Sequence, residues 1–357
     1  MGHKAAHGAG TRKEETSMTL SIHRSLRLPL IAAAALLAVF STSPAKAEIS
    51  EIRIAKGFGI GYLPLLVMEH EKLFEKHVKA AGLDAKATWL VVDGGTTQAS
   101  LLIGGNLEIS SGGLGPLVTI WERTKGGIDV KGIAAINSLP QFLNTINPNI
   151  KSIKDFTDKD RIALPVVRSS IQAVILQMAA EREFGPGQQN SLDRLTVAMA
   201  HPDGTAALMS GQTEVTAHLT APPFSYQQLK NPKIKRVFSS YDVLGGPHTF
   251  NLVWTTSKFR SDNPKVFAAF SAGLREAIAN INADKKKYAQ IYKEVDKSRL
   301  DLAFIEEIML LPETRFTAAP EGTMKFADFL NKIGSVKQKP ETWKDLFFPE
   351  AHDLEGS

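Results

Sequence analysis

The sequence predicts an α/β fold of two lobes built on mainly parallel sheets. Three observations carry this. Strand-like runs alternate with runs of helical spacing along the chain beyond residue 47. Four times, a Gly/Ser/Thr loop joins a strand to a helix, at residues 57–64, 94–97, 111–116 and 165–170. No short-period repeat or low-complexity linker divides the chain into tandem domains. Such alternation is the pattern of helices packed on a parallel sheet.

The elements follow in order. Glu51-Ile52-Arg53-Ile54-Ala55 reads as a first strand, ended by Lys56-Gly57-Phe58-Gly59. Leu65, Leu66, Met68, Leu73 and Phe74 recur at near-helical spacing and predict one amphipathic helix to about Ala81. Residues 87–92 form a second strand, and Gly94-Gly95-Thr96-Thr97 opens the next helix. A strand at 106–110 runs into Ser111-Gly112-Gly113-Leu114-Gly115-Pro116, where Pro116 suits the first turn of a helix. Residues 130–135 are a further strand. Beyond them, strands are expected at 161–164, 195–200, 215–219 and 235–240, with helices at 171–183 and 203–209. Residues 251–255 are read as a strand returning to the first sheet, and the tail from Asn263 as mostly helical. More than one crossover then joins the lobes, and the first lobe takes both ends of the folded chain. The boundaries expected are 48–137 for the first part of lobe one, 138–248 for lobe two, and 249–357 for the return and the C-terminal helices.

Residues 18–47 are read as an export signal. His23, Arg24 and Arg27 form a basic stretch, Leu28 to Phe40 an apolar run, and Ala45-Lys46-Ala47 an A-x-A cleavage motif before Glu48. The apolar run spans 13 residues, short of the ~20 that cross a bilayer as an anchored helix. Either Met1 or Met18 serves as the start under this reading. Cysteine is absent, which excludes a disulfide framework, a thiolate zinc site, a cysteine nucleophile and a lipid anchor after the signal. The expected product is a periplasmic protein that begins at Glu48. Residues 1–47 hold a net +4 of the chain's +5, so the remainder is nearly neutral and offers no electrostatic case for nucleic acid or a membrane surface.

Ligands of open parallel sheets bind beyond the carboxyl ends of the strands, where helix N-termini present free N–H groups and a positive dipole end. The four loops therefore predict a cleft. Gly57-Phe58-Gly59-Ile60-Gly61 has G-x-G-x-G spacing rather than the dinucleotide G-x-G-x-x-G, and no acidic ribose ligand is suitably placed. Phe58 and Tyr62 instead suit a ring wall and a polar-tipped contact. Arg168 precedes Ser169 and Ser170 at a helix start, where a cation is unfavourable unless an anion is present. It is the candidate for a two-point contact to a carboxylate, sulfonate or phosphate, the alternative being a solvated surface arginine. His201, His218 and His248 are scattered and lack metal-ligand spacing, so no metal and no cofactor is expected. His218 and His248 fall at strand ends compatible with the cleft. With no G-x-S-x-G elbow, no P-loop and no acid/base pair, no catalytic residue is nominated and an enzyme is not expected.

These residues resemble a known group. Ile52-Arg53-Ile54 leading to Tyr62-Leu63-Pro64-Leu65, then Gly94-Gly95, Leu114-Gly115-Pro116, His218-Leu219-Thr220-Ala221-Pro222-Pro223-Phe224, and Gly245-Gly246-Pro247 before Phe250-Asn251 are similar to the nitrate/sulfonate/taurine-type substrate-binding proteins of ABC importers. The resemblance implies a type II periplasmic binding fold, a monomer, and delivery of a small ligand to a membrane permease and its ATPase. It implies that Phe58, Tyr62, Gly95, Thr96, Thr97, Gly113 and Leu114 face the ligand from lobe one. Arg168, Ser169, Ser170, His218, His248 and Thr249 would face it from lobe two. The apolar Phe58 and Ile60 favour an organic anion, a sulfonate or carboxylate. A binding protein for a thiamine-pyrimidine precursor or another neutral heterocycle is the alternative, and an exported enzyme a third reading.

Overall fold

A computed structural model describes residues 47–357, and residues 48–357 form one compact unit. The expected export segment, up to Lys46, lies outside the described residues. Strand β1 (Glu51–Lys56) pairs in parallel with β2 (Lys86–Val91). On its other side it meets the segment entering β3 (Ser110–Gly112) through Ile54 and Ile109, where Ala55 N–H donates to Ile109 O at 3.0 Å. β3 and β4 (Val130–Ala135) flank β10 (Leu252–Thr256), which runs antiparallel to both. In the second sheet, β6 (Ile162–Leu164) lies parallel between β7 (Thr196–Ala198) and β8 (Ala217–Thr220). β5 (Phe142–Thr145) runs antiparallel between β8 and β9 (Lys235–Ser239). Both sheets thus share one plan, four parallel strands plus one reversed strand that has crossed over from the other sheet.

Helices cover the sheets in chain order. Lobe one carries α1 (Leu63–His70), α2 (Leu73–Ala80), α3 (Gly95–Ile103) and α4 (Leu114–Thr124). Lobe two carries α5 (Ile171–Phe184), α6 (His201–Ser210), α7 (Phe224–Leu229) and α8 (Ser240–Leu244). The tail supplies α9 (Ser257–Asp262), α10 (Pro264–Ala283), α11 (Lys285–Val295), α12 (Leu302–Leu310) and α13 (Thr323–Lys332). One core gathers Ile52, Ile54, Phe74, Phe270 and Tyr292, all buried, from the first sheet and the tail. A second runs through both lobes, from Leu117 and Trp254 to Ile175, Leu164 and Leu219.

Several boundaries differ from the sequence expectation. The single helix expected to Ala81 is two, broken at Lys72, whose φ of 53° is left-handed. The break re-aims the chain so that Leu73, Phe74 and Val78 reach the core that α1 already fills with Leu63, Leu65 and Met68. The strand expected at 106–110 pairs only from Ile109 onward. β5, α7 and α8 had no counterpart in the expectation, since four to six residues carry too little periodicity to stand out.

Two segments connect the sheets, residues 136–141 and 240–251, and they pair side by side. Ile136 N–H donates to Asn251 O at 3.0 Å, and Phe250 N–H to Asn137 O at 3.3 Å. Asn137 Oδ1 accepts from Asn251 N–H at 3.1 Å while its amide donates to Gly61 O. The tail adds a third segment. Ser138 N–H donates to Arg315 O at 2.8 Å, and Thr249 N–H to Glu321 O at 2.9 Å. At the start of the unit, Glu48 accepts from the N–H groups of Lys265 and Val266 at 3.0 and 2.7 Å, at the N-terminus of α10.

Candidate functional site

Four helices begin at the interface of the two lobes, two from each. α3 starts after Gly94, α4 after Gly113, α5 after Ser170 and α6 after Ala200. Each follows a strand of its parallel sheet, so all four N-termini lie beyond strand carboxyl ends. Ser170 is buried and its Oγ accepts from Ala173 N–H at 3.2 Å, which caps α5. α6 has no capping hydroxyl of its own. The Asp93 carboxylate of lobe one reaches across instead, Oδ2 accepting from His201 N–H at 3.1 Å while Oδ1 accepts from Gly94 N–H at 3.0 Å.

The lobes touch closely here. Ile60 N–H donates to Pro222 O at 3.2 Å and Thr96 Oγ1 to Ser169 O at 3.2 Å. Glycine makes the approach possible at two places. A Cβ on Gly94, whose φ of 80° already disfavours a side chain, would lie 2.5 Å from Val166 Cγ2. A Cβ on Gly113 would lie 2.5 Å from Ile171 Cβ. Between them is a cavity of about 20 Å³ lined by Tyr62, Asp93–Gly95, Gly112, Gly113, Pro116, Pro165, Ser170–Gln172, His201, Phe250 and Asn251. It has room for about one water molecule. A larger groove of about 400 Å³, between Arg182, Val243 and Phe329, lies on the outer surface away from these loops.

The lining is polar, with ring faces. Tyr62 is buried, and burial and then the Asp93 charge push its phenol well above its ordinary range, partly offset by hydrogen bonds with Asn251 and Ser111. His201 Nδ1 lies 2.7 Å from Thr220 Oγ1 and its Nε2 3.4 Å from Gln172 Nε2. Its ring stacks on Phe224 with centroids 5.9 Å apart. Burial lowers the His201 pKa, although Asp93 pulls it the other way. Among the described residues, no group of three or more His, Asp or Glu is arranged to hold a metal ion.

The expected site residues divide into three sets. Tyr62, Gly95, Gly113 and Ser170 line the cavity. Thr96 and Ser169 join the lobes at a side pocket beside it. The others lie elsewhere. Phe58 is half-buried in the loop after β1, Thr97 is exposed, and Leu114 is fully buried in the core, as is Ile60. Arg168 is exposed, on a left-handed backbone (φ 63°), and is not among the residues that line the cavity. His218 lies inside lobe two, with Nδ1 2.7 Å from Gln228 Nε2 and Nε2 facing Gly204 of α6. Burial and His201 hold its pKa well below the ordinary value. His248 and Thr249 belong to the crossing segments, with His248 Nε2 2.9 Å from Ser240 Oγ. His201 and His218, distant in sequence, come within 5.7 Å, centroid to centroid. Sequence reasoning missed Asp93, Gln172, His201, Phe250 and Asn251 as lining residues. Asp93 carried a usable signal, its place between a strand and the Gly94-Gly95 loop.

No family model matches the sequence, and no curated protein matches it. Solved structures do match by shape. The alkanesulfonate-binding protein SsuA from Xanthomonas axonopodis pv. citri, bound to MOPS, aligns with a TM-score of 0.64 at 14% identity, over 82% of this chain and 96% of its own. A Candida albicans protein described as exhibiting the generic periplasmic binding protein fold aligns at 0.65 and 14%, over 87% and 99%. This chain has the periplasmic binding protein fold. The periplasmic nitrate-binding protein NrtA from Synechocystis aligns at 0.57 and 15% identity, over 73% and 70%. The two-lobed type II arrangement expected from the sequence is the one found.

Proposed function

We propose that this chain is the exported solute-binding component of an ABC importer. It captures a small organic solute between its lobes and presents the closed form to a membrane permease and its ATPase. The observation that carries this is the convergence of four helix N-termini, two per lobe, on a cleft spanned by paired crossing segments. Such segments absorb a rotation of a few residues while each lobe stays rigid. The names of the structural neighbours, binders of alkanesulfonate and nitrate, support the same reading. The protein acts as a binder, not an enzyme, and works in the periplasm as a monomer.

Two ligand classes follow from the cleft. Helix N-termini favour an organic anion, a sulfonate or carboxylate. The lining itself, with a carboxylate, the Gln172 and Asn251 amides and the rings of Tyr62 and Phe250, favours a neutral or amino-bearing heterocycle. A thermal-shift panel of sulfonates, carboxylates, nitrate and aminopyrimidines tests both. A ligand at 100 times its Kd adds about 2.7 kcal/mol of stability, a shift of several degrees or less in a chain this size. A panel in which no compound shifts the transition, together with turnover of any member, overturns the binding reading.

A further inference from the structure

Asp93 is the one carboxylate in the cavity lining, and no lysine or arginine shares the lining with it. The nearest expected cation, Arg168, is exposed and outside it. Lys56 is buried but paired with Glu69 and does not line the cavity either. The Asp93 carboxylate is fixed rather than floating, since Gly94 N–H holds one oxygen at 3.0 Å and His201 N–H the other at 3.1 Å. These donors use two of the roughly four acceptor positions of a carboxylate. Tyr62, Gln172 and Asn251 line the same cavity as Asp93 and supply neutral polar groups. An anion placed against this carboxylate meets like charge with no cation among the lining residues to offset it, while an N–H donor finds a positioned acceptor.

We propose that Asp93 sets the charge selectivity of the cleft: the ligand presents an N–H donor, an ammonium, amidinium or ring amino group, to this carboxylate, and a free anion is disfavoured there. The proposal rests on the solute-binding reading and narrows it. Because Asp93 also holds His201 N–H of the opposite lobe, the residue that reads the ligand is one that joins the lobes. A donor satisfied by Asp93 is therefore enclosed at the point of closure.

The test uses the chain from Glu48 and two probe sets of equal size, titrated by calorimetry and thermal shift. Amino probes are methylguanidinium, 4-aminopyrimidine and 4-amino-5-hydroxymethylpyrimidine; anionic probes are methanesulfonate, acetate and pyridine-3-sulfonate. Wild type is expected to bind an amino probe more tightly than every anion. Asp93→Asn is expected to weaken that probe by about 30-fold or more, as removal of one partner of an enclosed charged hydrogen bond does. It should also narrow the gap to the anions. Asp93→Glu, which keeps the charge on a longer stem, should keep the amino preference at reduced affinity, and serves if Asp93→Asn does not fold. An anion preferred by wild type, or amino binding undiminished in Asp93→Asn, overturns the proposal and leaves solute binding standing. No response of wild type to any of the amino probes overturns the proposal as well, and the solute-binding reading is then decided by the wider thermal-shift panel.

Discussion

At Gly113 a single missing methyl group decides whether the lobes can meet. A Cβ there would lie 2.5 Å from Ile171 Cβ, and its φ of −93° carries no backbone objection to alanine. Gly113→Ala should therefore leave each lobe folded but cost on the order of 1–3 kcal/mol of the closed arrangement. Scattering should show a larger radius of gyration and calorimetry a weaker ligand, with the thermal transition little moved. His248 makes a prediction about pH. Burial lowers its pKa to about 4, the hydrogen bond with Thr249 O opposing and the Lys325 charge adding to the shift. Between pH 6.5 and 4 the unfolded chain takes up a proton that the folded chain refuses. Stability is thus complete above about pH 6.5 and falls as pH drops through that window, by about 3 kcal/mol for this residue. His201 and His218, also lowered by burial, act in the same direction. Urea unfolding across this range should show the loss, and His248→Gln should reduce it by the His248 share, leaving that of His201 and His218. Arg168 teaches the reverse lesson. Its neighbours in sequence are cleft residues, yet it is exposed and outside the cavity lining, so Arg168→Ala should change ligand affinity by less than about twofold.

At the scale of elements, the crossing segments concentrate the buried polar pairing. Asn137 holds Asn251 N–H, Gly61 O and the Asn251 side chain at once, and it is fully buried. Asn137→Ala would strand a buried N–H and carbonyl and should cost about 1–3 kcal/mol in chemical unfolding. A smaller loss would place less of the lobe connection on this residue than its geometry does. Most long elements were legible in the sequence, because 130–135 and 171–183 show apolar runs of strand and helix length bounded by Gly, Ser and Pro. The shorter ones were not. β5 is Phe-Leu-Asn-Thr, and its role as the reversed strand depends on pairing with residues more than 70 positions away. The site was half legible for the same reason. Loops flagged by glycine, such as Gly94–Gly95 and Gly113, can be read locally, whereas Asp93, His201 and Asn251 acquire their roles only when two lobes meet.

At the scale of the whole molecule, a cavity of about 20 Å³ sets a condition on any organic ligand. Even a small ring exceeds one water molecule, so the lobes must part to admit it and re-form around it. Small-angle scattering should record compaction when a true ligand is added, and tight binding with no change in radius would count against hinged capture. The other end of the unit carries a consequence for how the protein is made. Glu48, the residue after the expected cleavage motif, places its carboxylate on the first N–H groups of α10, the longest helix described. Mass spectrometry of exported protein should find Glu48 at the N-terminus. If processing slipped one residue downstream, past Glu48, the 20-residue helix would lose its anionic cap and about 0.5–2 kcal/mol with it. The position of a peptidase cut would then be written into the melting temperature of the finished protein, making its maturation register measurable by heat alone.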